Sequence, residues 1–332
     1  MAEACSTQDR SVLLAELSRA DVGRSRPGAL LAELTTWRVG GPADLLIEPE
    51  TVAQVGRVCA FADCHGIPLV TIGQGSNLLF DDAGLRGIVL KVGSRLGRVE
   101  VDGQRIRAEG GAWVPGLARR AMRAGLTGLE HIVGIPGTIG GLVLMNGGSR
   151  QRGVGENVER VELVDPGGRR RVMSREECRF AYRHSALQGL GVVVGVELLC
   201  ARGETQQIRR AMLADLRERR GKFPRKEPNC GSVFLSSPEM HATVGPPGRI
   251  IENAGLKGLR IGDAEVSQQH ANFIVNRGRA TSAQILELIV NIRQVVAQSI
   301  GFDLRCEVRY VTPLGQIMPA DRVLKGGCDR EE

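Results

Sequence analysis

The stretch that most constrains this chain is the run Ile67 to Ile72 and the loop that follows it, Gly73-Gln74-Gly75-Ser76-Asn77. A short apolar run bounded by glycine reads as a buried strand. Upstream, Thr51 and Gln54 form a T-x-x-Q capping box that opens a helix. Val52, Val55, Cys59 and Ala62 share one stripe of that helix, and Gly66 ends it. Asp44 to Glu48 reads as the strand before it. The unit is β-α-β, which puts the glycine loop at the carboxyl end of a strand, where such units bind ligands. Two glycines one residue apart let the backbone turn sharply and bring bare N–H groups to an anion, with Ser76 and Asn77 as added donors. Such a loop suits a pyrophosphate; from these residues alone an ordinary tight turn reads equally well. The loop lacks the third glycine and downstream acid of a Rossmann fingerprint and the Gly-Lys-Ser/Thr of a P-loop.

A second glycine-rich run holds Gly134, Pro136, Gly137, Thr138, Gly140 and Gly141, then Asn146, Gly147 and Gly148. Each glycine costs chain entropy, so the run is read as backbone pressed flat against a ligand rather than as packing. Between the two runs, Asp102-Gly103 marks a hairpin turn and Val114 to Ala124 a helix. Further on come a hairpin around Asp165-Pro166-Gly167-Gly168, a short helix capped by Ser174, and a buried strand from Val192 to Leu199. A helix over 205 to 220 ends in Arg217, Arg219, Arg220, Lys222, Arg225 and Lys226, which reads as a solvated basic face. Residues 261 to 271 read as loop, and Thr281 with Gln284 forms a second capping box opening a long helix. In the last strand, Leu304 to Val311, alternation sets Arg305, Glu307 and Arg309 on one face and Leu304, Cys306, Val308 and Tyr310 on the other. A carboxylate between two guanidiniums is a structural ion-pair ladder or a charged site.

The 332 residues, 42% hydrophobic and 24% charged, suit a multidomain soluble protein. No uncharged apolar run reaches membrane-spanning length, and the polar start has no signal-peptide core, so a cytoplasmic protein is expected. The eight cysteines (5, 59, 64, 178, 200, 230, 306, 328) contain no C-x-x-C pair; free thiols and no metal site are expected. A net charge of +7 favours anionic partners. Aromatics are only 3% and are not interleaved with basic residues, which argues against a nucleic-acid stacking surface.

Taken in order, six motifs make the chain resemble the UDP-N-acetylenolpyruvoylglucosamine reductase family, over about Thr35 to Val311. They are Thr36-Trp37-Arg38-Val39-Gly40-Gly41-Pro42; Gly73 to Asn77; Gly134 to Gly148; Phe180-x-Tyr182-Arg183-x-Ser185; Cys230-Gly231-Ser232-Val233-Phe234; and Cys306-Glu307-Val308-Arg309. The compact span between Ser232 and Glu307 resembles the family's shorter class, which lacks a tyrosine-loop insertion. The resemblance implies an α+β fold: a two-part FAD-binding domain of the vanillyl-alcohol-oxidase superfamily plus a C-terminal α+β substrate domain. The implied spans are a polar N-terminal segment (1–28), FAD subdomains 29–86 and 87–203, a substrate domain 204–303, a closing strand 304–314, and a mobile polar tail 315–332.

The resemblance further implies reduction of an enolpyruvyl ether on a UDP-sugar, with FAD held non-covalently and NADPH as hydride donor, in cytoplasmic peptidoglycan precursor synthesis. It assigns FAD to Gly73, Gln74, Gly75, Ser76, Asn77, Gly137, Thr138, Gly140, Gly141, Asn146 and Gly147. It matches Arg183, Ser232 and Glu307 to the catalytic residues, with Ser232 as proton donor. Tyr182, Lys222 and Arg309 fall on substrate, with Arg225 and Lys226 competing with Lys222 for the diphosphate. No nucleic acid, membrane or metal is implied, and a monomer is expected. A superfamily oxidase, a non-catalytic nucleotide-binding protein and a basic RNA-binding module remain as alternatives. The first loop has no His for covalent flavin, which disfavours the oxidase, and only the net charge favours RNA.

Overall fold

Side-chain caps open the helices Val52–Cys64 and Ser282–Ile300, and left-handed Gly301 ends the second. The computed structural model describes residues 7–149 and 152–323. In chain order the elements are α1 (Thr7–Arg19), β1 (Arg24–Leu30), β2 (Pro42–Glu48), α2 (Val52–Cys64), β3 (Leu69–Ile72), β4 (Leu78–Phe80), β5 (Leu85–Lys91), β6 (Val99–Asp102), β7 (Arg105–Glu109), α3 (Val114–Arg123), β8 (Leu126–Thr127), α4 (Ile139–Leu144), β9 (Val158–Val164), β10 (Arg170–Ser174), β11 (Val192–Leu199) and β12 (Ala201–Arg202). There follow α5 (Thr205–Lys222), α6 (Pro238–Thr243), α7 (Pro247–Asn253), β13 (Arg260–Ile261), β14 (Ala264–Val266), β15 (Ile274–Asn276), α8 (Ser282–Ile300), β16 (Arg309–Val311) and β17 (Ile317–Pro319). Both capping boxes form: Thr51 accepts from Gln54 N–H and Thr281 from Gln284 N–H, each at 3.2 Å. Among the described residues, no helix is long and apolar enough to cross a membrane.

By its contacts the chain divides into two compact units. The first runs to Ala29 and resumes over Asp44–Gln74 and Gly87–Arg219; the second holds Leu30–Ala43, Gly75–Arg86 and the chain from Arg220 on. These units are cut differently from the sequential spans read off the sequence: most of α5 belongs to the first, and two early segments to the second.

The first unit contains the short antiparallel pair β8-β12 and two larger sheets. One has the order β1-β2-β5-β3, with β3 and β5 parallel; the other, β10-β9-β11-β7-β6, is antiparallel throughout. Leu45, Ile47, Val55, Val58, Ile88 and Leu90 form one core; Ile106, Leu117, Ile139, Val161 and Leu198 belong to a second. Leu14, Leu17 and Val22 join the first core and β1 lies beside β2 in the sheet, so α1 and β1 are held elements rather than a loose start.

The second unit is built on β17-β16-β4 and β13-β14-β15, with α7 and α8 supplying Ile250, Ile251, Ile285, Leu288, Ile289 and Ile292 to the core. Trp37, fully buried, donates its indole N–H to Ile274 O at 2.8 Å, and Asn276 Nδ2 donates to Trp37 O at 3.0 Å. Asp82 accepts from Ser282 N–H at 2.8 Å and Ala283 N–H at 3.2 Å, capping α8. Two readings of the sequence change here. Residues 315–323 are not a tail, because β17 pairs antiparallel with β16. The last strand is shorter than its alternation suggests: Arg309–Val311 is strand, and 304–308 is irregular apart from a bridge between Cys306 and Phe234. Cys5, Cys328 and the end of the tail from 324 lie outside the described residues.

Candidate active site

In the first unit the two glycine runs meet. A Cβ on Gly73, at the end of β3, would lie 2.3 Å from Thr138 Oγ1, so nothing but hydrogen fits there. Thr138 bridges antiparallel to Trp113, and on either side Val114 N–H donates to Gly137 O (3.1 Å), Ile139 N–H to Ala112 O (2.9 Å) and Gly140 N–H to Gly110 O (2.8 Å). The second run is therefore not flat along its length. Its middle winds into α4, and the close approach of Gly110 and Val193 backbone explains Gly140 as packing. Gly147 and Gly148 are packing glycines as well; Cβ atoms there would strike Leu142 Cδ1 at 2.5 Å and Arg152 O at 1.8 Å. Gly141 differs: it is exposed, and a Cβ would meet nothing nearer than Thr138 Oγ1 at 3.7 Å. Its bare backbone is open to a ligand, as a cofactor face requires.

Tyr182 and Arg183 form the tip of a two-residue turn. Ala181 N–H donates to His184 O at 3.0 Å and His184 N–H to Ala181 O at 3.1 Å. Arg183 takes a left-handed φ of 53°. Its guanidinium lies 5.4 Å from the Tyr182 ring centre and donates to Gly148 O at 3.2 Å. Asn146 donates to Ala181 O at 2.8 Å and accepts from Gly155 N–H at 2.9 Å.

In the second unit the structure brings together Asn77, the Ser232 segment and the Glu307 segment. Glu307 N–H donates to Val233 O at 2.8 Å, and Leu235 N–H to Arg305 O at 2.9 Å. Asn77 Nδ2 donates to Glu307 O at 3.3 Å, Arg309 N–H donates to Asn77 O at 3.1 Å, and β4 then runs parallel to β16. Buried Asn272 holds the other edge. Its side chain accepts from Phe234 N–H and donates to Phe234 O, both at 2.9 Å, while its carbonyl accepts from Val233 N–H. Ser232 is half-buried, and its hydroxyl makes no hydrogen bond within the described residues. Leu304, Cys306, Val308 and Tyr310 are buried while Arg305 is exposed, so the alternation holds. Arg309 is half-buried; burial, then the positive charge of Arg322, lowers its pKa.

Lys222 is exposed, 5.7 Å from the Phe223 ring, which stacks on Phe273 at 4.9 Å and tilts against His270 at 5.3 Å. Burial, then the charge of Lys222, pushes His270 down to about 4, so it is neutral and accepts from Asn272 N–H at 3.2 Å. Cys230 is buried, and burial followed by the Glu307 charge holds its thiol well above the ordinary range. A shallow pocket of about 280 Å³ in this unit, lined by Arg38, Gly40, Gly41, Asp82 and Arg279, contains none of the assigned catalytic residues.

Asn272 is the functional side chain that sequence reasoning left without a role. The signal was there: two asparagines, 272 and 276, flank an apolar strand, and a buried amide must be hydrogen-bonded.

Residues 43–174 match the FAD-binding domain family, which defines the class: a flavoprotein of mixed helix and strand. Residues 223–311 match the C-terminal domain of UDP-N-acetylenolpyruvoylglucosamine reductase. A curated relative of that name from Corynebacterium glutamicum is 45% identical over 294 residues, 88% of each chain. One from Moorella thermoacetica is 44% identical over 278 residues, covering 84% of this chain and 90% of that one. The crystal structure of the reductase from Thermus caldophilus superposes with a TM-score of 0.73 at 35% identity, covering 85% of this chain and 97% of the other. The chain belongs to the UDP-N-acetylenolpyruvoylglucosamine reductase family.

Proposed function

We propose that the chain reduces the enolpyruvyl ether of UDP-N-acetylglucosamine to the lactyl ether of UDP-N-acetylmuramate, with NADPH as hydride source, in cytoplasmic peptidoglycan precursor synthesis. The observation that carries this reading is the ladder joining the Ser232 segment to the Glu307 segment, with Asn77 bonded to both ends of the Glu307–Arg309 stretch. It sets the Ser232 hydroxyl and the Glu307 carboxylate on neighbouring segments joined by backbone hydrogen bonds, with Asn77 bonded to one of them.

Bound FAD supplies the hydride relay from the nicotinamide to the substrate's methylene carbon. Gly73 to Asn77 and the Gly137–Gly141 stretch hold it without a covalent bond, Gly141 offering open backbone. Charge that builds on the substrate's neighbouring carbon and carboxylate needs fixed cations and donors. Arg183 presents a forked guanidinium to that carboxylate, and Glu307 shares a proton with the developing enol. Ser232 gives its hydroxyl proton to the carbon next to the methylene and regains one from water; a serine is a weak acid, so the negative intermediate must draw the proton. Tyr182 and Arg309 contact the substrate, and Lys222 takes the diphosphate.

An absorbance titration of the purified protein tests this. Anaerobic NADPH should bleach the flavin bands, and the enolpyruvyl UDP-sugar should restore them. In Ser232→Ala the bleaching should persist and the return should stall. A protein without flavin, or flavin reoxidised by oxygen alone, would overturn the reading.

A further inference from the structure

The turn that carries Arg183 cannot hold its shape unaided. Two mutual backbone bonds close it, and Arg183 at its tip sits in the left-handed region, which a side chain with a Cβ disfavours. Two side chains tie it down, one on each flank. Asn146 Nδ2 donates to Ala181 O at 2.8 Å, on the entering side. Ser185, fully buried, donates to Leu144 O at 2.7 Å, on the leaving side. Both anchors end on the last residue of α4 or just beyond it, so the turn hangs from the end of the second glycine run.

Asn146 is itself caged. It holds a left-handed φ of 43°, its Oδ1 accepts from Gly155 N–H at 2.9 Å, and Cβ atoms on Gly153 and Gly155 would come within 2.3 Å and 2.9 Å of that oxygen. An amide gripped by the Gly155 N–H at one end has a fixed orientation, so its other end fixes Ala181. Asparagine suits the place twice over: it tolerates the left-handed backbone, and it carries a donor and an acceptor on one planar group.

We propose that Asn146 is a positioning residue for Arg183, aiming the guanidinium at the substrate carboxylate by locking the 181–184 turn to the end of α4. This rests on the reading of Arg183 given above. It shifts Asn146 from cofactor contact to the substrate half-reaction. A guanidinium displaced by about 1 Å loses its fork on a charge that develops during the reaction, which costs on the order of 10- to 100-fold in rate.

The test is a double-mutant cycle read by stopped-flow absorbance. Asn146→Asp keeps the size, the tolerance for the left-handed backbone and the acceptor, but loses the donor to Ala181 O. The variant should bind FAD normally, bleach with NADPH at the wild-type rate, and return colour with substrate about 10- to 100-fold more slowly. Its substrate dissociation constant should change much less than its rate. With Arg183→Ala in the background, Asn146→Asp should add nothing further, which a merely structural residue would not do. Ser185→Ala, run through the same cycle, should behave alike and covers the case in which the Asn146 variant fails to fold. Loss of flavin from folded Asn146→Asp would make Asn146 a cofactor ligand and overturn the proposal. Additive effects with Arg183→Ala would overturn it too. If Arg183→Ala by itself leaves the return of colour unchanged, the reading of Arg183 falls, and the positioning role with it.

Discussion

Two asparagines, one in each unit, do the same job in opposite ways. Asn272 satisfies both the N–H and the C=O of a single residue, Phe234, and so replaces a missing strand beside Ser232. Asn146 spans two separate segments, Ala181 and Gly155, and so braces a turn. The first is buried, in the turn just before β15; the second is half-buried, on left-handed backbone. The contrast separates two roles. Asn272 completes hydrogen bonds that burial makes obligatory, whereas Asn146 sets a direction. Losing the first should cost stability; losing the second should cost rate.

The largest effect expected on that comparison is from Asn272→Ala. It leaves the Phe234 N–H and C=O unpaired in a buried place, which should cost about 3 kcal/mol in a urea titration. If it cost less than Asn146→Ala, the distinction would collapse. A middle-sized effect comes from acid. His270 is held near 4, below its value in the unfolded chain, so only the unfolded state takes up its proton as the pH drops below the ordinary histidine range. Its neutral form, which accepts from Asn272 N–H, therefore favours folding above about pH 6.5, and this advantage is lost between pH 6.5 and 4. Melting temperature against pH should fall through that window, and His270→Gln should flatten the fall; buried His131, also shifted down, leaves a residual slope. The smallest effect concerns the thiols beside the Asn272 ladder. Cys230 and Cys306 are buried and held protonated, so iodoacetamide on the native protein, mapped by mass spectrometry, should modify exposed Cys64 and spare both.

Much of the frame was legible because its signals are local. The capping boxes at Thr51 and Thr281 need only residues three apart, and the alternation from Leu304 to Tyr310 survives even where the segment is not regular strand. The 261–271 stretch was opaque for a matching reason: β13 and β14 are two and three residues long around Gly262, too short for a period to show. Ser174 caps a turn rather than a helix, since its bonds with Glu177 are not continued. Glycine misled more instructively. Composition marks where a Cβ is unwelcome but not what excludes it: at Gly73 and Gly148 the obstacle is the protein itself, and Gly141 is left open. The candidate catalytic residues were named by motif, but their supports, Asn146 and Asn272, depend on partners 35 and 38 residues away, which no local pattern encodes.

The interleaved make-up of the two units bears on how the protein is born. The first unit's last segment ends at Arg219, so its whole complement leaves the ribosome while the second still lacks everything from Arg220 onward. Trp37 and Leu79, made early, belong to a core whose helices are translated late. The Trp37 indole waits for a carbonyl 237 residues downstream. During vectorial synthesis these apolar side chains have no native shelter, and sequence separation of this order slows closure. A nascent chain halted near residue 219 would expose them, making that interval of elongation the one in which the polypeptide most needs a holdase.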